Sequence, residues 1–282
     1  MKIKFAKPYC FTQLGRRNSQ EDCLAPVQAD ERSAFFVVCD GVGGREHGEV
    51  ASELVCQTFE HCLADEDCHA LGVGDVLNLV SATYDTLYSN RAICPEMATT
   101  LTFMARTDNG ILLAHIGDSR IYQVRRGEGV VFRTKDHSLV SELLERGQIT
   151  TEEAARHPQR NVITRCLFVA ERKADRCLPS ITLVRDVQPR DVFMLCTDGV
   201  YSMFSDDDIA EILSSDATLE EKATEIAAMS SGSDDNNTAY LVEVADVEER
   251  SGDEQNIAYE IETDGKKEKN GLWSRICRTF GV

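Results

Sequence analysis

The chain has 282 residues, 42% hydrophobic and 28% charged, which is typical of a globular protein long enough to bury a sizeable core. Its formal net charge of −18 argues against nucleic-acid binding, because phosphate contacts require clustered lysine and arginine. It shows neither an apolar run long enough to span a bilayer nor the apolar segment of a secretory signal.

Hydrophobic periodicity predicts an alternation of strand groups with helix pairs along the chain. The helices cluster instead of alternating strictly with strands, which favours packed sheets with helices outside. The predicted elements are strands at 9–14 and 34–39, helices at 49–63 and 76–90, strands at 99–105, 111–116 and 120–124, short helices at 139–146 and 151–155, a strand at 192–196, helices at 206–213 and 219–229, and a strand at 239–244.

Changes in composition divide the chain. Residues 1–246 are predicted to form the main domain, with 136–180 as a small inserted subdomain, the flap. Residues 247–270 are charged and poor in large apolar side chains, which predicts a flexible linker. Residues 271–282 form a short basic amphipathic segment, which could dock on the main domain, bind a partner helix or touch a membrane surface.

Two apolar runs, at 34–39 and 192–196, each lead into an Asp-Gly-Val sequence, at Asp40 and Asp198. A buried strand that ends in a carboxylate is costly unless a cation meets it. The glycine that follows lets the backbone turn sharply and approach a ligand closely. Asp118 closes a third apolar run, so three carboxylates are predicted at strand ends.

The candidate site consists of oxygen ligands. Acidic side chains of this kind favour Mg²⁺ or Mn²⁺ over zinc, and two such ions can lower the pKa of one water and polarise a phosphoryl group. Arg17 is suited to hold a phosphate through paired hydrogen bonds. The pattern therefore predicts a binuclear phosphoester hydrolase. The acids are Glu21, Asp22, Asp40, Asp118, Asp198 and Asp235.

Each residue also has a simpler interpretation. Asp40 and Asp198 could be turn or helix-capping residues, and Asp118 could pair with Arg120. Arg17 could be a surface arginine. It is the combination of motifs that favours the metal site.

Three other side chains near these motifs are not expected to bind metal. His115 lies in an apolar run and is predicted to be a core residue, and His137 is predicted to be a hydrogen-bonded loop residue. Cys39 should point to the opposite face of its strand from Asp40. The 11 cysteines include no Cys-x-x-Cys pair, so they are interpreted as reduced thiols of a cytoplasmic protein.

Eight motifs, between about residues 11 and 244, resemble in their order the metal-dependent serine/threonine protein phosphatases of the PP2C (PPM) type, particularly compact bacterial members. The resemblance implies an α+β fold: a four-layer α/β/β/α sandwich of two mainly antiparallel sheets flanked by helices, with the flap beside the site. The motifs are Gly15-Arg16-Arg17-Asn18-Ser19-Gln20-Glu21-Asp22, Asp40-Gly41-Val42-Gly43-Gly44, Gly48-Glu49-Val50-Ala51-Ser52, Thr99-Thr100, Gly117-Asp118-Ser119-Arg120, Asp136-His137-Ser138, Thr197-Asp198-Gly199 and Asp235-Asn236-Asn237-Thr238.

The resemblance also implies roles around two core ions. Asp40 would bridge both ions, with the Gly41 carbonyl on the second. Asp198 and Asp235 would complete the first ion. A bridging hydroxide would attack phosphorus in line with the leaving serine or threonine oxygen, without a phosphoenzyme intermediate.

The remaining motif residues have implied roles at the rim of this centre. Glu21 and Asp22 would orient water, Arg17 would bind the substrate phosphate, and Asp118 with Asp198 would hold a third, weaker ion.

One departure concerns the leaving-group proton: Val42 stands where many eukaryotic relatives carry a histidine, and His47 is a nearby candidate donor. We expect a cytoplasmic monomer that dephosphorylates phosphoproteins and opposes a Ser/Thr kinase. The alternatives are a phosphoprotein-binding pseudophosphatase and a small-phosphoester hydrolase.

Overall fold

The computed structural model describes residues 1–42, 47–64, 68–248 and 256–259. The strands are β1 Lys2–Phe5, β2 Tyr9–Gln13, β3 Cys23–Ala25, β4 Phe35–Cys39, β5 Ala98–Thr99, β6 Leu101–Thr107, β7 Gly110–Ile116, β8 Arg120–Arg125, β9 Gly129–Arg133, β10 Leu167–Phe168, β11 Ser180–Val184, β12 Val192–Cys196, β13 Asn237–Glu248 and β14 Ile257–Tyr259. The helices are α1 Gly48–Leu63, α2 Val73–Ser89, α3 Leu139–Glu145, α4 Thr151–Ala155, α5 Asp198–Tyr201, α6 Asp206–Ser214 and α7 Leu219–Ser230, with 3₁₀ turns at Cys68–Ala70 and Lys173–Asp175.

Two antiparallel sheets form the centre of the fold. The first has the order β1-β13-β12-β8-β9, with β2 also paired to β13, and the second has the order β14-β11-β7-β6-β4-β3. The long strand β13 pairs with β2 through its first half and with β1 through its second half. A small separate pair joins β10 to β5.

Alternation along the strands assigns each side chain to one of three cores. Phe36 and Val38 point between the two sheets, whereas Val37 and Cys39 face the core that α1 and α2 cover. On the other sheet, Phe193 points between the sheets, and its neighbours pack under α6 and α7. The layers are therefore helix, sheet, sheet and helix, which confirms the predicted α+β sandwich.

Local sequence explains where the outer helices begin. Ser205 accepts a hydrogen bond from the Asp208 amide and Thr218 accepts one from the Glu221 amide, and in both cases the acid returns a bond to the cap residue. These capping boxes satisfy amides that would otherwise lack partners. Both helix starts agree with the sequence prediction.

The strand ends locate the site. β4 ends at Cys39, β7 at Ile116 and β12 at Cys196, one or two residues before the predicted acids. Asp198 is also the first residue of the short helix α5, which the sequence did not predict. Asp235 lies two residues before β13.

The tail of the chain differs from the predicted linker in two places. β13 continues to Glu248, and Ile257–Tyr259 pairs with β11 as an extra edge strand. Ile257 and Tyr259 pack against the core beneath α1 and α2, so part of 247–270 is held by apolar contact. The segment 271–282 and residues 43–46 of the second motif lie outside the described residues.

Within the described ranges, no helix is both long enough and apolar enough to cross a bilayer.

Replacing Phe36 with alanine tests the core between the sheets. Phe36 is fully buried, with its ring centroid 4.9 Å from that of Tyr240 and 5.9 Å from that of Phe5. We expect Phe36→Ala to lower the free energy of unfolding by about 3–5 kcal/mol, as measured by urea denaturation. Val27→Ala is the control, because Val27 is 71% exposed. Equal effects of the two substitutions would contradict this packing.

Candidate active site

One cavity of about 350 Å³ brings most of the predicted site residues together. Asp22 is the exception, because it is buried behind the cavity wall instead of lining it. The opposite wall comes from the flap. The lining residues are Arg17, Glu21, Asp40, Gly41, Val42, Thr100, Asp118, Pro158, Gln159, Asn161, Val162, Ile163, Asp198 and Asp235.

Asp40 is held by two threonines on the neighbouring strands. Its amide donates to Thr100 Oγ1 at 2.9 Å, and its carbonyl accepts from the Thr100 amide at 2.8 Å. Thr99 Oγ1 donates to the same carbonyl at 2.8 Å. With its backbone satisfied in this way, Asp40 can direct its carboxylate into the cavity.

Glycines permit the close approach of Glu21 to this loop. The Gly41 amide donates to the Glu21 carbonyl at 3.1 Å. A Cβ atom on Gly41 would lie 2.7 Å from that carbonyl oxygen, and one on Gly48 would lie 2.6 Å from Glu21 Oε2. Gly41 is therefore required by backbone contact, whereas a side chain at Gly48 would first displace the Glu21 carboxylate. Ser52 Oγ adds a hydrogen bond of 2.6 Å to the Glu21 carbonyl.

Asp22 lies under the site and contacts the residue before Asp198. Its Oδ2 accepts from Thr197 Oγ1 at 3.0 Å, and Thr197 Oγ1 in turn accepts from the Thr238 amide at 3.1 Å. This chain of bonds joins β3, β12 and β13 behind the cavity.

Asn236 joins the segment just before β13 to residues 14–21. Its Oδ1 accepts from the Glu21 amide at 2.8 Å, while its Nδ2 donates to the carbonyls of Leu14 and Ser19, each at 2.9 Å. Its own amide donates to Asp235 Oδ1 at 2.8 Å. Asn236 therefore fixes Glu21 and Asp235 together.

Arg17 lines the cavity and pairs with Asp235, with Nη2 and Oδ2 2.7 Å apart. Guanidinium has five N–H donors, so this single contact leaves others for a phosphate oxygen. The neighbouring Arg16 instead pairs with Asp234, and both of those side chains are largely exposed.

Arg120 forms its ion pair with Asp136 and not, among the described contacts, with Asp118. Arg120 Nε and Nη2 bond the two oxygens of Asp136 at 2.8 and 2.7 Å, and its guanidinium lies 3.7 Å from the ring centroid of Tyr201. The carboxylate of Asp118 lines the cavity instead.

Cys39, His115 and His137 lie in the surroundings that the sequence predicts for them. Cys39 is fully buried in the core beneath α1 and α2. His115 is buried, and His137 is a hydrogen-bonded loop residue. His47 is not among the described residues that line the cavity, and its Nδ1 lies 3.7 Å from Glu49 Oε1.

Comparison with known proteins decides the family. A family model described as Protein phosphatase 2C matches residues 14–234. The serine/threonine phosphatase stp of Listeria innocua is 33% identical over 244 residues, covering 82% of this chain and 93% of that protein. The chain belongs to the protein phosphatase 2C family.

Solved structures agree with this assignment. The crystal structure of the Mycobacterium tuberculosis serine/threonine phosphatase PstP has a TM-score of 0.74 and 30% identity, covering 86% of this chain and 100% of that chain. A crystal structure of the catalytic domain of PstP in complex with two manganese ions has a TM-score of 0.73 and 28% identity, covering 87% of this chain and 100% of that chain.

Burial, and after it the charge of neighbouring carboxylates, raises the pKa of four acids in this protein phosphatase 2C domain. Burial is the largest cause, followed for Asp40 by the charges of Asp22, Asp198 and Asp118. The pKa values of Asp40 and Asp118 lie well above their usual range, that of Asp22 rises to about 7, and that of Asp198 rises to about 6. Cations among these groups would favour their ionised forms.

The donor set fits divalent metal ions. Asp22 Oδ1 and Asp198 Oδ1 are buried without a hydrogen-bond partner, although buried carboxylate oxygens are normally satisfied. The surrounding donors are all oxygens, which suits Mg²⁺ or Mn²⁺. Within the described part of the chain, no three Asp, Glu, His or Cys side chains are gathered closely enough to enclose an ion without rearrangement. The carboxylates are instead distributed around the cavity.

The roles of three positioning residues were missed from the sequence: Thr100, Thr197 and Asn236. The sequence did contain hints: Thr197 and Asn236 are each adjacent to a predicted ligand, and Thr100 belongs to the Thr99-Thr100 motif. Their partners, however, lie on strands far away in the sequence. The flap residues that line the cavity lie within the predicted flap 136–180.

The raised carboxyl pKa values predict how stability depends on pH without metal. The folded state holds protons that an unfolded carboxyl with a pKa near 4 has already lost, so the free energy of unfolding in EDTA should fall as the pH rises from about 4 to about 7. Added Mn²⁺ should reverse this trend, since metal binding requires ionised ligands. Urea denaturation at several pH values measures both slopes.

Two variants serve as a matched pair for this measurement. Asp22→Asn should flatten the slope in EDTA, whereas Asp207→Asn should leave it unchanged because Asp207 is exposed on α6. A stability in EDTA that rises between pH 4 and 7 would contradict the carboxyl cluster.

Proposed function

We propose that this chain, a metal-dependent serine/threonine protein phosphatase of the protein phosphatase 2C family, hydrolyses phosphoserine and phosphothreonine at the carboxylate-lined cavity. The observation that carries this proposal is the buried, unpartnered oxygens of Asp22 and Asp198 beside a cavity that also presents Arg17. Carboxylates suited to hard cations and a guanidinium suited to phosphate meet in one space.

The proposed ligands are those that the family resemblance implies. Asp40 would bind both core ions, the Gly41 carbonyl would bind the second, Asp198 and Asp235 would complete the first, and Glu21 would orient water at the second. When bound, two divalent ions lower the pKa of a water and polarise the phosphoryl group. The manganese ions in the PstP structure support Mn²⁺, and Mg²⁺ suits the same oxygen donors.

Asp22 and Asp118 complete the proposed centre. From behind the wall, Asp22 would hold water at the second ion and orient it through its bond to Thr197. Asp118, with Asp198, would hold a third and weaker ion. Both acids lie beside the proposed core ligands, and burial and neighbouring charge raise the pKa of both carboxyls.

Arg17 would orient the substrate phosphate through its remaining N–H donors. The flap wall at 158–163 would exclude water and face the substrate segment on either side of the phosphorylated residue. The catalytic domain would comprise the predicted residues 1–246, with the flap at 136–180, extended by the end of β13 and by the edge strand Ile257–Tyr259. The basic segment 271–282 would follow it.

The cellular setting is proposed from chemistry. The substrates are phosphoproteins, and the natural counterpart is a Ser/Thr kinase. A cytoplasmic location suits the reduced cysteines of the described ranges, and we propose that the protein acts as a monomer. The pseudophosphatase alternative is not favoured, because every acid expected at the centre is present.

Phosphatase assays with Mn²⁺ test the proposal directly. We expect turnover of a phosphothreonine peptide, and we expect Asp198→Ala to lower kcat by at least about 100-fold because an ion ligand is lost. Turnover of an aryl phosphate alone would indicate a small-phosphoester hydrolase. Binding of the phosphopeptide without turnover of either substrate would indicate a pseudophosphatase.

The adjacent arginines provide a matched test of phosphate recognition. Arg17→Ala should raise KM for the phosphopeptide by about tenfold or more, because a charge-assisted contact to phosphate is lost. Arg16→Ala should change KM little, since Arg16 pairs with exposed Asp234 at the surface. Steady-state kinetics at saturating Mn²⁺ measures both, and equal effects would assign the phosphate contact elsewhere.

A further inference from the structure

His137 lies at the start of the flap and bonds the loop that carries Asp118. The Gly117 amide donates to His137 Nδ1 at 3.1 Å, and the His137 amide donates to the Gly117 carbonyl at 2.9 Å. His137 thus bonds both the amide and the carbonyl of Gly117, the residue immediately before Asp118. The side chain and backbone of one residue therefore fix this loop.

The Gly117 loop has little freedom to adopt another position. Gly117 has φ of +105°, a region that favours glycine, and a Cβ atom there would lie 2.6 Å from Thr100 Cγ2. Thr100 is also the residue that bonds both the amide and the carbonyl of Asp40. Movement of Gly117 would therefore displace Asp118, the next residue in the chain. It would also disturb Asp40, through the contact between Gly117 and Thr100.

The backbone on the other side of His137 holds the flap. The Thr164 amide donates to the His137 carbonyl at 2.7 Å, and the Leu139 amide donates to the Val162 carbonyl at 2.9 Å. Ser138 and Ile163 form a β-bridge between these two bonds. Val162 and Ile163 line the cavity, so this short pairing holds the flap wall over the carboxylates.

The imidazole must adopt one tautomer to make its contacts. Nδ1 accepts from the Gly117 amide, so the ring proton is on Nε2, which donates to Ser180 Oγ at 2.8 Å. The ring stacks on His115 at a centroid distance of 4.5 Å, and His115 Nε2 bonds the Lys135 carbonyl at 2.7 Å. Burial, followed by the charges of His115 and Arg165, lowers the pKa of His137 to about 2, which keeps the ring neutral.

We propose that His137 is a positioning residue that couples the flap wall to the Asp118 loop, so that both walls of the cavity move together. The ring is fixed between Gly117 and Ser180, while its backbone fixes Thr164. In consequence, loss of the ring should loosen the ion ligand Asp118 and the flap in one event. This inference rests on the proposed function only for its effect on catalysis.

Amide hydrogen exchange of the full chain in EDTA tests the coupling without metal or substrate. His137→Ala should speed exchange of the Gly117 amide by at least about fivefold, because a hydrogen-bond acceptor is lost. It should also speed exchange of the Thr164 amide, although the acceptor of that bond is a backbone carbonyl that the substitution retains. Mass spectrometry of peptides covering 112–119 and 160–166 measures both.

Conservative variants separate positioning from general damage. His137→Asn keeps an acceptor at the δ position and should restore slow exchange at Gly117. Ser180→Ala removes only the partner of Nε2 and should produce a smaller acceleration at both amides. This second variant keeps the test valid even if His137→Ala fails to fold.

A kinetic measurement connects the coupling to the site. His137→Ala should raise the Mn²⁺ concentration for half-maximal activity by severalfold, with a smaller change in kcat at saturating Mn²⁺. Exchange that accelerates at Gly117 but not at Thr164, or Asn failing to rescue Gly117, would overturn the proposal. An inactive wild-type chain would contradict the proposed function, while the exchange measurement would still decide the role of His137.

Discussion

The repulsion among buried carboxylates is the constraint on which the site depends. Asp22, Asp40, Asp118 and Asp198 all have raised pKa values, because burial and mutual charge oppose ionisation. A fold can tolerate such a cluster only if rigid surroundings hold it, and here both sheets contribute strand ends to it. In the proposed metal-loaded site, divalent ions would offset both burial and this repulsion. The unfavourable ionisation of the free carboxylates would then be the source of the affinity for metal.

The side chains around this cluster hold the acids by their backbones and leave the carboxylates to the cavity. Thr100 bonds the main chain of Asp40, and Asn236 bonds the main chain of Glu21. At Gly41 a side chain would collide with the Gly48 backbone and the Glu21 carbonyl. At Gly48 a side chain would meet the Glu21 carboxylate. The site is therefore built mainly from backbone positions, which resist displacement more than flexible side chains do.

The strands that carry Asp40 and Asp198 could be predicted from sequence, because apolar runs that end in Asp-Gly are typical of buried strands with a charge at the end. Helix starts at Ser205 and Thr218 were predictable from local capping. The burial of Asp22 behind the wall was not, since it depends on Thr197, 175 residues away. The short edge strand Ile257–Tyr259 was missed because three residues carry too little periodicity, and its support comes from pairing with β11.

The long strand β13 determines when the site can form during synthesis. Its partners β1 and β2 lie at the start of the chain, and Asp235 and Asn236, just before it, contact Arg17 and Glu21. A nascent chain that lacks β13 and the two residues before it can neither complete the first sheet nor bring Asn236 to Glu21. The site can therefore form only once β13 has paired with the strands at the start of the chain.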